Sequence, residues 1–269
     1  MVLSIFSLNI LTNKGPVFRM QIFGNKIAII CDPKLKKEFF DAKEADMSLY
    51  EVLERLFFVD AFTDKPEMGA LNIQMVNRTI GIRYEDFASK IIDEATKMVD
   101  RLSLKCEKEG TISVMDEMIR FVACTSSRCF IGYEMDNEFF DLLMDYTHLL
   151  NRIVVLTYFF PLWFIRLTWN VKLRSYRYKM VAKLDKIIEL YRNDPSYDES
   201  DLLRKAVDYQ DDNGKSLTNQ EIGDIVVCLL YVSSENTALG LSSAFTDMSL
   251  DKNGWWDKVK EESVSIKKQ

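Results

Sequence analysis

The sequence predicts a mainly α-helical protein with a small β-hairpin near its amino terminus. Two β-rich runs, VFRMQIF and KIAIIC, flank Gly24-Asn25, a dipeptide that favours a two-residue hairpin turn. Beyond them, apolar residues recur with helical spacing, as in YEDFASKIIDEATKMVDRLSL, where they share one face. Near the carboxyl end, one helical pattern continues for about 30 residues, a length of about 45 Å.

Local signals mark the ends of most of these elements. Asp32 and Pro33 provide the cap and the first position of a helix. A second helix, ISVMDEMIRFVACTSSRCFIGYEM, is broken near its end, and NEFFDLLMDYTHLLNRIVVL forms the next. Pro161 restarts a long basic helical segment, which stops at residues 193–195, Asn-Asp-Pro. Residues 218–221 form a capping box that begins the long central helix.

No repeat, low-complexity tract or Gly/Ser-rich linker divides the chain. Of its 269 residues, 48% are apolar, which is enough to bury a sizeable core. We therefore predict a single domain over residues 1–269. It comprises a hairpin at 15–31, a helical region at 33–217, a long central helix at 218–249 and a short helix at 253–269.

Charge and composition exclude several classes of function. The net charge of -6 argues against nucleic acid as a partner, because no basic surface offsets the repulsion from phosphates. The five cysteines include no C-x-x-C pair and are interpreted as reduced thiols rather than as disulfides or zinc ligands. The single histidine, His148, argues against a metal cluster held by side chains, so we predict no metal ligands and interpret His148 as structural.

Neither apolar stretch of the chain predicts a membrane span. The amino-terminal run ends at Leu11 and lacks both a preceding basic residue and a cleavage site for secretion. Both this run and Ile225–Val232 are shorter than the about 20 residues that a helix needs to cross a bilayer. We expect no signal peptide and no transmembrane helix, and hence a chain that is cytoplasmic or peripheral at a membrane surface.

The long central helix carries a polar interruption, here called the notch. After the apolar run IVVCLLYV come five small or polar residues, Ser233–Thr237. Because Ser and Thr side chains in a helix can bond the carbonyl one turn back, we expect the helix to loosen there. The notch faces either a group that needs hydrogen bonds or, more simply, solvent or a packed helix.

The order of these elements resembles that of the cytochrome P-450 family, the haem-thiolate monooxygenases. The hairpin beginning GPVFRMQIFG and the helix beginning DPKLKKEFF are similar to the family's opening. TSSRCFIGYEM and YFFPLW resemble segments of its sterol 14α-demethylase branch. DDNGKSLTNQEIGDIVVCLLYVSSENT resembles the central helix that crosses the haem face, and LDKNGWWDKVKEESVSI resembles the helix that follows. The resemblance covers residues 15–266 and implies the N-terminal half of a cytochrome P-450 fold, hence one incomplete domain.

This resemblance implies roles for the notch. In the family, this part of the helix makes room for dioxygen above the haem iron and supplies a hydroxyl that guides protons to it. By position, the notch matches as follows: Ser233 stands for a small residue, Ser234 for a glycine, Asn236 for an acid or histidine, and Thr237 for the proton-delivering threonine. Ser234 permits a less close backbone approach than glycine. Asn236 cannot donate a proton as an acid or imidazolium would.

The resemblance also implies contacts with haem and substrate elsewhere. Asn77 and Arg78 are candidates for the basic position that faces a haem propionate, although a solvated helix face explains Arg78 equally well. Leu53 occupies the position at which the sterol branch has a tyrosine, Tyr50 lies nearby, and the branch's Pro-x-Phe-Gly element is missing. Together with Leu230, one turn before the notch, Tyr50 and Leu53 are the candidates for substrate contact.

The implied activity is haem-dependent, NADPH-driven hydroxylation or demethylation of a sterol-like lipid, with electrons from a reductase. The family's iron ligand is a cysteine in a late loop, preceded by a Glu-x-x-Arg helix, and the chain ends before both. We therefore expect a truncated chain that is inactive alone and does not bind haem as a thiolate complex. The alternative is a non-catalytic helical protein, a truncated paralogue or gene remnant, that binds a lipid or a partner.

A basic segment with interspersed aromatic residues, 161–186, favours peripheral contact with an anionic membrane surface. In the family, this neighbourhood lines the substrate entrance and often touches membrane, which in a eukaryote implies the endoplasmic reticulum. A solvated basic helix that packs through Trp163, Phe164 and Trp169 is the alternative.

Overall fold

Helices make up most of the fold. The structure is a computed structural model, and it describes residues 16–22, 25–43, 46–48, 51–52, 54, 61–65, 84–196, 201–211, 213–250 and 254–266. Its strands are β1 (Val17–Ile22) and β2 (Asn25–Ile30). Its helices are α1 (Pro33–Phe40), α2 (Tyr84–Glu109), α3 (Val114–Ile131), α4 (Asn137–Leu156), α5 (Leu162–Thr168), α6 (Asn170–Asn193), α7 (Asp201–Val207), α8 (Asn219–Leu250) and α9 (Trp255–Ile266). The predicted class, mainly α with a small amino-terminal hairpin, is confirmed.

The hairpin is antiparallel and leads directly into α1. Asn25 is the first residue of β2 and pairs with Ile22. The prediction that Asn25 belongs to the turn is therefore wrong, because cross-strand pairing continues through it. The side chain of Asp32 accepts a hydrogen bond from the backbone N–H of Lys34 at 2.7 Å, and Pro33 opens the helix as predicted.

Side chains satisfy terminal backbone groups at the starts of three of the longer helices, α3, α4 and α8. Side-chain oxygens of Ser113 and Asp136 accept N–H bonds at the starts of α3 and α4. Gly132 ends α3 with a φ of 64°, a left-handed conformation that glycine adopts without steric cost. At the start of α8, the N–H of Thr218 donates to the Glu221 carboxylate at 2.7 Å, and the N–H of Glu221 donates to the Thr218 hydroxyl at 3.3 Å. The predicted capping box is thus present.

The core forms where α8 crosses the other helices. α8 packs against α3 and α6, while α6 also packs against α4, and α2 against α3. Gly223 allows α8 to approach α6 closely, since a Cβ at this position would lie 2.6 Å from Cγ1 of Val181. The buried core consists mainly of aliphatic and aromatic side chains from α4, α6 and α8, among them Leu150, Ile153, Leu184, Ile188, Ile225 and Leu230. The central helix therefore organises the core.

By length and composition, α8 could cross a membrane, and it is the one helix of this kind in the described part of the chain. The buried core helix of a soluble protein meets the same two criteria. In α8, 44% of the apolar window is buried. Packing against α3 and α6 therefore accounts for much of its apolar character.

Candidate functional site

The two halves of α8 differ in exposure on either side of the notch. The apolar residues before it are at most 2% exposed: Ile225, Val226, Leu229 and Leu230. Beyond them, Val232 is 43% exposed and Leu239 is 56% exposed. Within the described part of the chain, no atom outside the adjacent helix backbone and chain neighbours lies within 4 Å of the position that a Cβ on Gly240 would take. One side of α8 therefore opens at the notch, while Ser234 and Ala238 on the other side remain buried.

Polar side chains of the notch bond back to the preceding turn of α8. The hydroxyls of Ser233 and Ser234 both donate to the carbonyl of Leu230, at 3.2 and 2.6 Å. The amide of Asn236 donates to the carbonyl of Val232 at 3.4 Å. The expected side-chain bonds to the preceding turn are therefore present, and α8 is a continuous helix through them. A carbonyl oxygen has two lone pairs, so it accepts a side-chain donor while keeping its helical one.

The predicted site residues differ in accessibility. Ser234 is 4% exposed and Ser233 is half-buried, whereas Asn236 and Thr237 are exposed. Leu230 is fully buried in the core. The other predicted haem and substrate contacts lie outside the described residues and stay predictions: Tyr50, Leu53, Asn77 and Arg78.

A hydrogen-bonded triad joins the notch to α4. The hydroxyl of Tyr231 donates to Oδ1 of Asn151 at 2.9 Å, and Nδ2 of Asn151 donates to Oε1 of Glu235 at 2.7 Å. Burial and the charge of Glu235 raise the pKa of Tyr231, so its hydroxyl keeps its proton. The sequence carries one weak signal for this triad, the i, i+4 spacing of Tyr231 and Glu235, because Asn151 lies 80 and 84 residues away from them.

A charged cluster fastens residues 61–65 to the start of α8. The fully buried guanidinium of Arg177 lies 2.5 Å from the carboxylate of Asp64 and 3.3 Å from that of Asp224. It also donates to the carbonyl of Ala61 at 3.1 Å. Arg177 belongs to the segment predicted to rest on a membrane or in solvent, yet its side chain is fully buried.

Two further contacts complete the attachment of residues 61–65. The hydroxyl of Tyr146, on α4, donates to the carbonyl of Ala61 at 2.8 Å. The ammonium of Lys65 donates to the carboxylate of Glu221, in the first turn of α8, at 2.5 Å. The segment therefore contacts α4, α6 and α8.

The two aspartates of this cluster titrate differently. Burial raises the pKa of Asp224 to about 7, against the opposing charge of Arg177 and the hydrogen bond from Gln220. At Asp64, burial acts in the same direction, but the hydrogen bond from Tyr178 and the charge of Arg177 outweigh it and lower the pKa. The difference follows exposure, since the side chain of Asp64 is 31% exposed and that of Asp224 is 5% exposed.

Three of the five cysteines lie in surroundings that disfavour the thiolate. Burial raises the pKa of Cys124 and Cys129 and raises that of Cys228 to about 12. A cysteine binds iron as the thiolate, so these three side chains are poor ligands. Among the residues that the structure describes, no three His, Cys, Asp or Glu side chains lie together as metal ligands.

Comparison with known proteins defines the class. A family model described as Cytochrome P450 matches residues 5–268, and the chain belongs to this family. It is similar to the "Probable lanosterol 14-alpha demethylase" of Acanthamoeba polyphaga mimivirus, with 48% identity over 97% of this chain and 37% of the relative. It is 23% identical to the "Obtusifoliol 14-alpha demethylase" of Triticum aestivum, over 84% of this chain and 49% of the relative. The chain thus spans half or less of the length of these relatives.

Solved structures share the fold. "Retinoic acid bound cyanobacterial CYP120A1" aligns with a TM-score of 0.58 and 19% identity, over 96% of this chain and 57% of that one. A cytochrome P450, CYP102L1, aligns with a TM-score of 0.61 and 18% identity, over 90% of this chain and 57% of that one. The predicted family and its sterol 14α-demethylase-like branch are confirmed, and haem is the cofactor that the family implies.

Proposed function

We propose that this chain forms the oxygen-facing side of the haem pocket in a monooxygenase of the sterol 14α-demethylase type, acting on a sterol-like lipid with electrons from a reductase. The open face of α8 from Val232 onward carries the proposal. Gly240 and the hydroxyl of Thr237 lie on this face beside Val232 and Leu239, after a stretch whose apolar side chains Ile225, Val226, Leu229 and Leu230 are at most 2% exposed. The viral relative at 48% identity is named as a 14-alpha demethylase, which supports the substrate class.

The described residues fit haem along one side. Gly240 leaves open space beside the helix backbone, and Thr237 is exposed without a large side chain. Such a surface suits a flat cofactor that approaches the backbone closely. When bound, haem supplies the activation of dioxygen. We assign no iron ligand to Cys124, Cys129 or Cys228, because burial keeps these thiols protonated.

We assign roles to four notch residues, to Thr237 and Asn236 from their positions in the family resemblance and to Ser233 and Ser234 from their contacts. The exposed hydroxyl of Thr237 is the one we assign to proton delivery. The amide of Asn236 orients a neighbouring group rather than protonating it, because it carries no acidic proton. Ser233 and Ser234 donate to the carbonyl of Leu230 and so shape the helix. We further propose that Leu230 backs the substrate pocket from within the core.

Four predicted contacts outside the described residues complete this proposal. Asn77 and Arg78 are proposed to face a haem propionate, because a guanidinium pairs well with a carboxylate. Tyr50 and Leu53 are proposed to contact the substrate, at the position where the sterol branch has a tyrosine.

The experiment is a chimaera in which this chain replaces the matching segment of the mimivirus relative. We expect the purified chimaera to show the carbon monoxide difference spectrum of a P450 and a shift of its haem absorption on addition of lanosterol. Thr237→Ala should leave both spectra intact and slow turnover about 100-fold, the typical contribution of one proton-transfer group. Thr246→Ala, an exposed threonine farther along α8, is the matched control and should not change turnover.

The alternative is a non-catalytic helical protein that binds a lipid or a partner. A chimaera that takes up haem but does not respond to lanosterol, with Thr237→Ala and Thr246→Ala behaving alike, would support it and overturn the proposed function.

We also propose peripheral membrane contact through residues 161–186. Trp163, Leu167 and Val171 are 65%, 73% and 75% exposed, and lysines and arginines surround them. Vesicles that contain phosphatidylserine should therefore sediment the chain, less strongly as salt rises. Replacing Trp163 and Leu167 by Asp should abolish sedimentation, whereas Trp256→Asp, at an exposed tryptophan on α9, should not. Equal sedimentation of both variants would contradict the proposal.

A further inference from the structure

We propose that Asn151 and Glu235 are positioning residues, which fix the rotation of α8 about its axis at the notch. They do so through the triad that runs from Tyr231 through Asn151 to Glu235. The proposal deepens the proposed function, because the rotation of α8 decides which side of the helix presents the hydroxyl of Thr237.

Helix geometry connects the triad to Thr237. Successive residues of an α-helix are about 100° apart around its axis. Tyr231 and Glu235 are four residues apart, so they lie on nearly the same face, and this face meets α4. Thr237 follows Glu235 by two residues, about 200° farther around the helix. Fastening Glu235 to α4 therefore turns Thr237 away from α4, toward the open side.

The notch needs such a contact because it lies at the end of the tightly packed part of α8. Before the notch, burial on all sides and the close approach at Gly223 fix the helix. The bonds of Ser233, Ser234 and Asn236 end within α8 itself and do not resist its rotation. Glu235 bonds to another helix. Ala238, Leu241 and Phe245 pack against α2 and α3, but these apolar contacts are non-directional, whereas the hydrogen bond of Glu235 has a fixed direction.

The chemistry of the triad requires an amide at its centre. Asn151 accepts from Tyr231 through its oxygen and donates to Glu235 through its nitrogen. A carboxylate at position 151 would accept from Tyr231 but repel Glu235, since neither group could donate. Exchanging the two functional groups restores both bonds, because a carboxylate at 151 accepts from Tyr231 and from an amide at 235.

The experiment compares amide hydrogen exchange in the notch among Asn151→Asp, Glu235→Gln and the double variant. We expect Asn151→Asp to lower the protection factors of residues 232–240 about 10-fold at pH 8. At pH 5 the loss should shrink, because two adjacent carboxylates share a proton and can bond again. The double variant should regain the protection of the parent chain at both values of pH.

The control is His148→Asp, which adds a carboxylate at an exposed position one turn earlier on α4. It should leave the protection of the notch unchanged. His148 is retained in the other variants, and Cys228 and Tyr231, which lie close to the triad, are common to all of them. A pH-dependent difference between Asn151→Asp and the parent therefore reports on the new carboxylate. If Asn151→Asp does not fold, recovery of folded chain in the double variant serves as the measure of rescue.

Two outcomes would overturn the inference: protection in Asn151→Asp equal to that of the parent, or a double variant as impaired as Asn151→Asp. Neither result would bear on whether the chimaera responds to lanosterol, which tests the proposed function separately. Conversely, a chimaera without that response would overturn the proposed function while the exchange result stands.

Discussion

Up to Tyr231, the side chains of α8 are buried among α3, α4 and α6, whereas from Val232 onward one side of the same helix is open. The change is not a change of secondary structure, because the helix is continuous from Asn219 to Leu250. What changes is the kind of contact: a charged cluster and close packing on several sides hold the first half, whereas the triad and a one-sided apolar contact with α2 and α3 hold the second. One element thus serves as core over part of its length and as functional surface over the rest.

The largest effect should come from the cluster that fastens the first half. Arg177→Met leaves Asp224 and Asp64 without their buried cation and should lower the free energy of unfolding by about 3–5 kcal/mol. Arg174→Met removes a 43% exposed cation from the same Asp64 and should cost about 0–1 kcal/mol. Urea denaturation measures both. If Arg177→Met and Arg174→Met lowered the free energy of unfolding by similar amounts, the burial of Arg177 would not be what makes its ion pairs important for stability.

The pH dependence of stability provides a second test of the charged cluster, through the titration of Asp224. The folded-state pKa of Asp224 is about 7, above its value of about 4 in an unfolded chain. Between these values the folded state retains a proton that the unfolded state has lost, so this contribution to stability falls as pH rises toward 7. Asp224→Asn removes the titration. Relative to the parent, the variant should gain about 2 kcal/mol in the free energy of unfolding between pH 5 and pH 7.

Urea denaturation at a series of pH values tests this prediction. Asp64 does not obscure the result, because its lowered pKa places its titration below this range. A constant difference between Asp224→Asn and the parent would contradict the raised pKa of Asp224.

Substituting one glycine in each half of α8 tests the difference in packing between the halves directly. Gly223→Ala would place a Cβ 2.6 Å from Val181 and should destabilise the fold by about 1–2 kcal/mol, since overpacking outweighs the gain in helix propensity. Gly240→Ala meets open space and should stabilise the helix by about 0.5–1 kcal/mol. Thermal melts of both variants give the sign of each change. The same sign at both positions would contradict the difference between the halves.

The smallest effect should come from the notch. Thr237→Val keeps the shape of an exposed side chain and removes its hydroxyl, so stability should change by less than about 0.5 kcal/mol. Ala238→Val, at the neighbouring fully buried position, should cost about 1–3 kcal/mol through overpacking. A large loss at Thr237 would mean that its hydroxyl serves the fold rather than chemistry.

Local patterns predicted much of the fold. The cap at Asp32 and the capping box at Thr218 each depend on residues within one turn, and the length of α8 follows from the helical pattern of its own residues. The position of Asn25 was missed, because strand pairing extends to a residue that also favours turns.

The site was predictable in part, because the notch is a local break in an apolar run. Its accessibility and its triad were not, since they depend on Asn151, far away in the chain. The burial of Arg177 could not be predicted either, because its carboxylate partners, Asp64 and Asp224, lie far away in the sequence. α8 stays continuous at Ser233 and Ser234 because the carbonyl of Leu230 can accept a side-chain donor as well as its helical one. Residue type alone does not say whether a serine hydroxyl adds to the helical bonds or replaces one.

The attachment of residues 61–65 has a consequence for the order of events during synthesis. The carbonyl of Ala61 accepts hydrogen bonds from Tyr146 and Arg177, which follow it by 85 and 116 residues. The ammonium of Lys65 pairs with Glu221, 156 residues later. Loop closure over such separations is slow compared with the formation of a helix. During translation, this segment leaves the ribosome long before its partners exist. A nascent chain halted before α4 should therefore expose residues 61–65 to protease, and their protection should rise as α4, α6 and then the first turn of α8 are added.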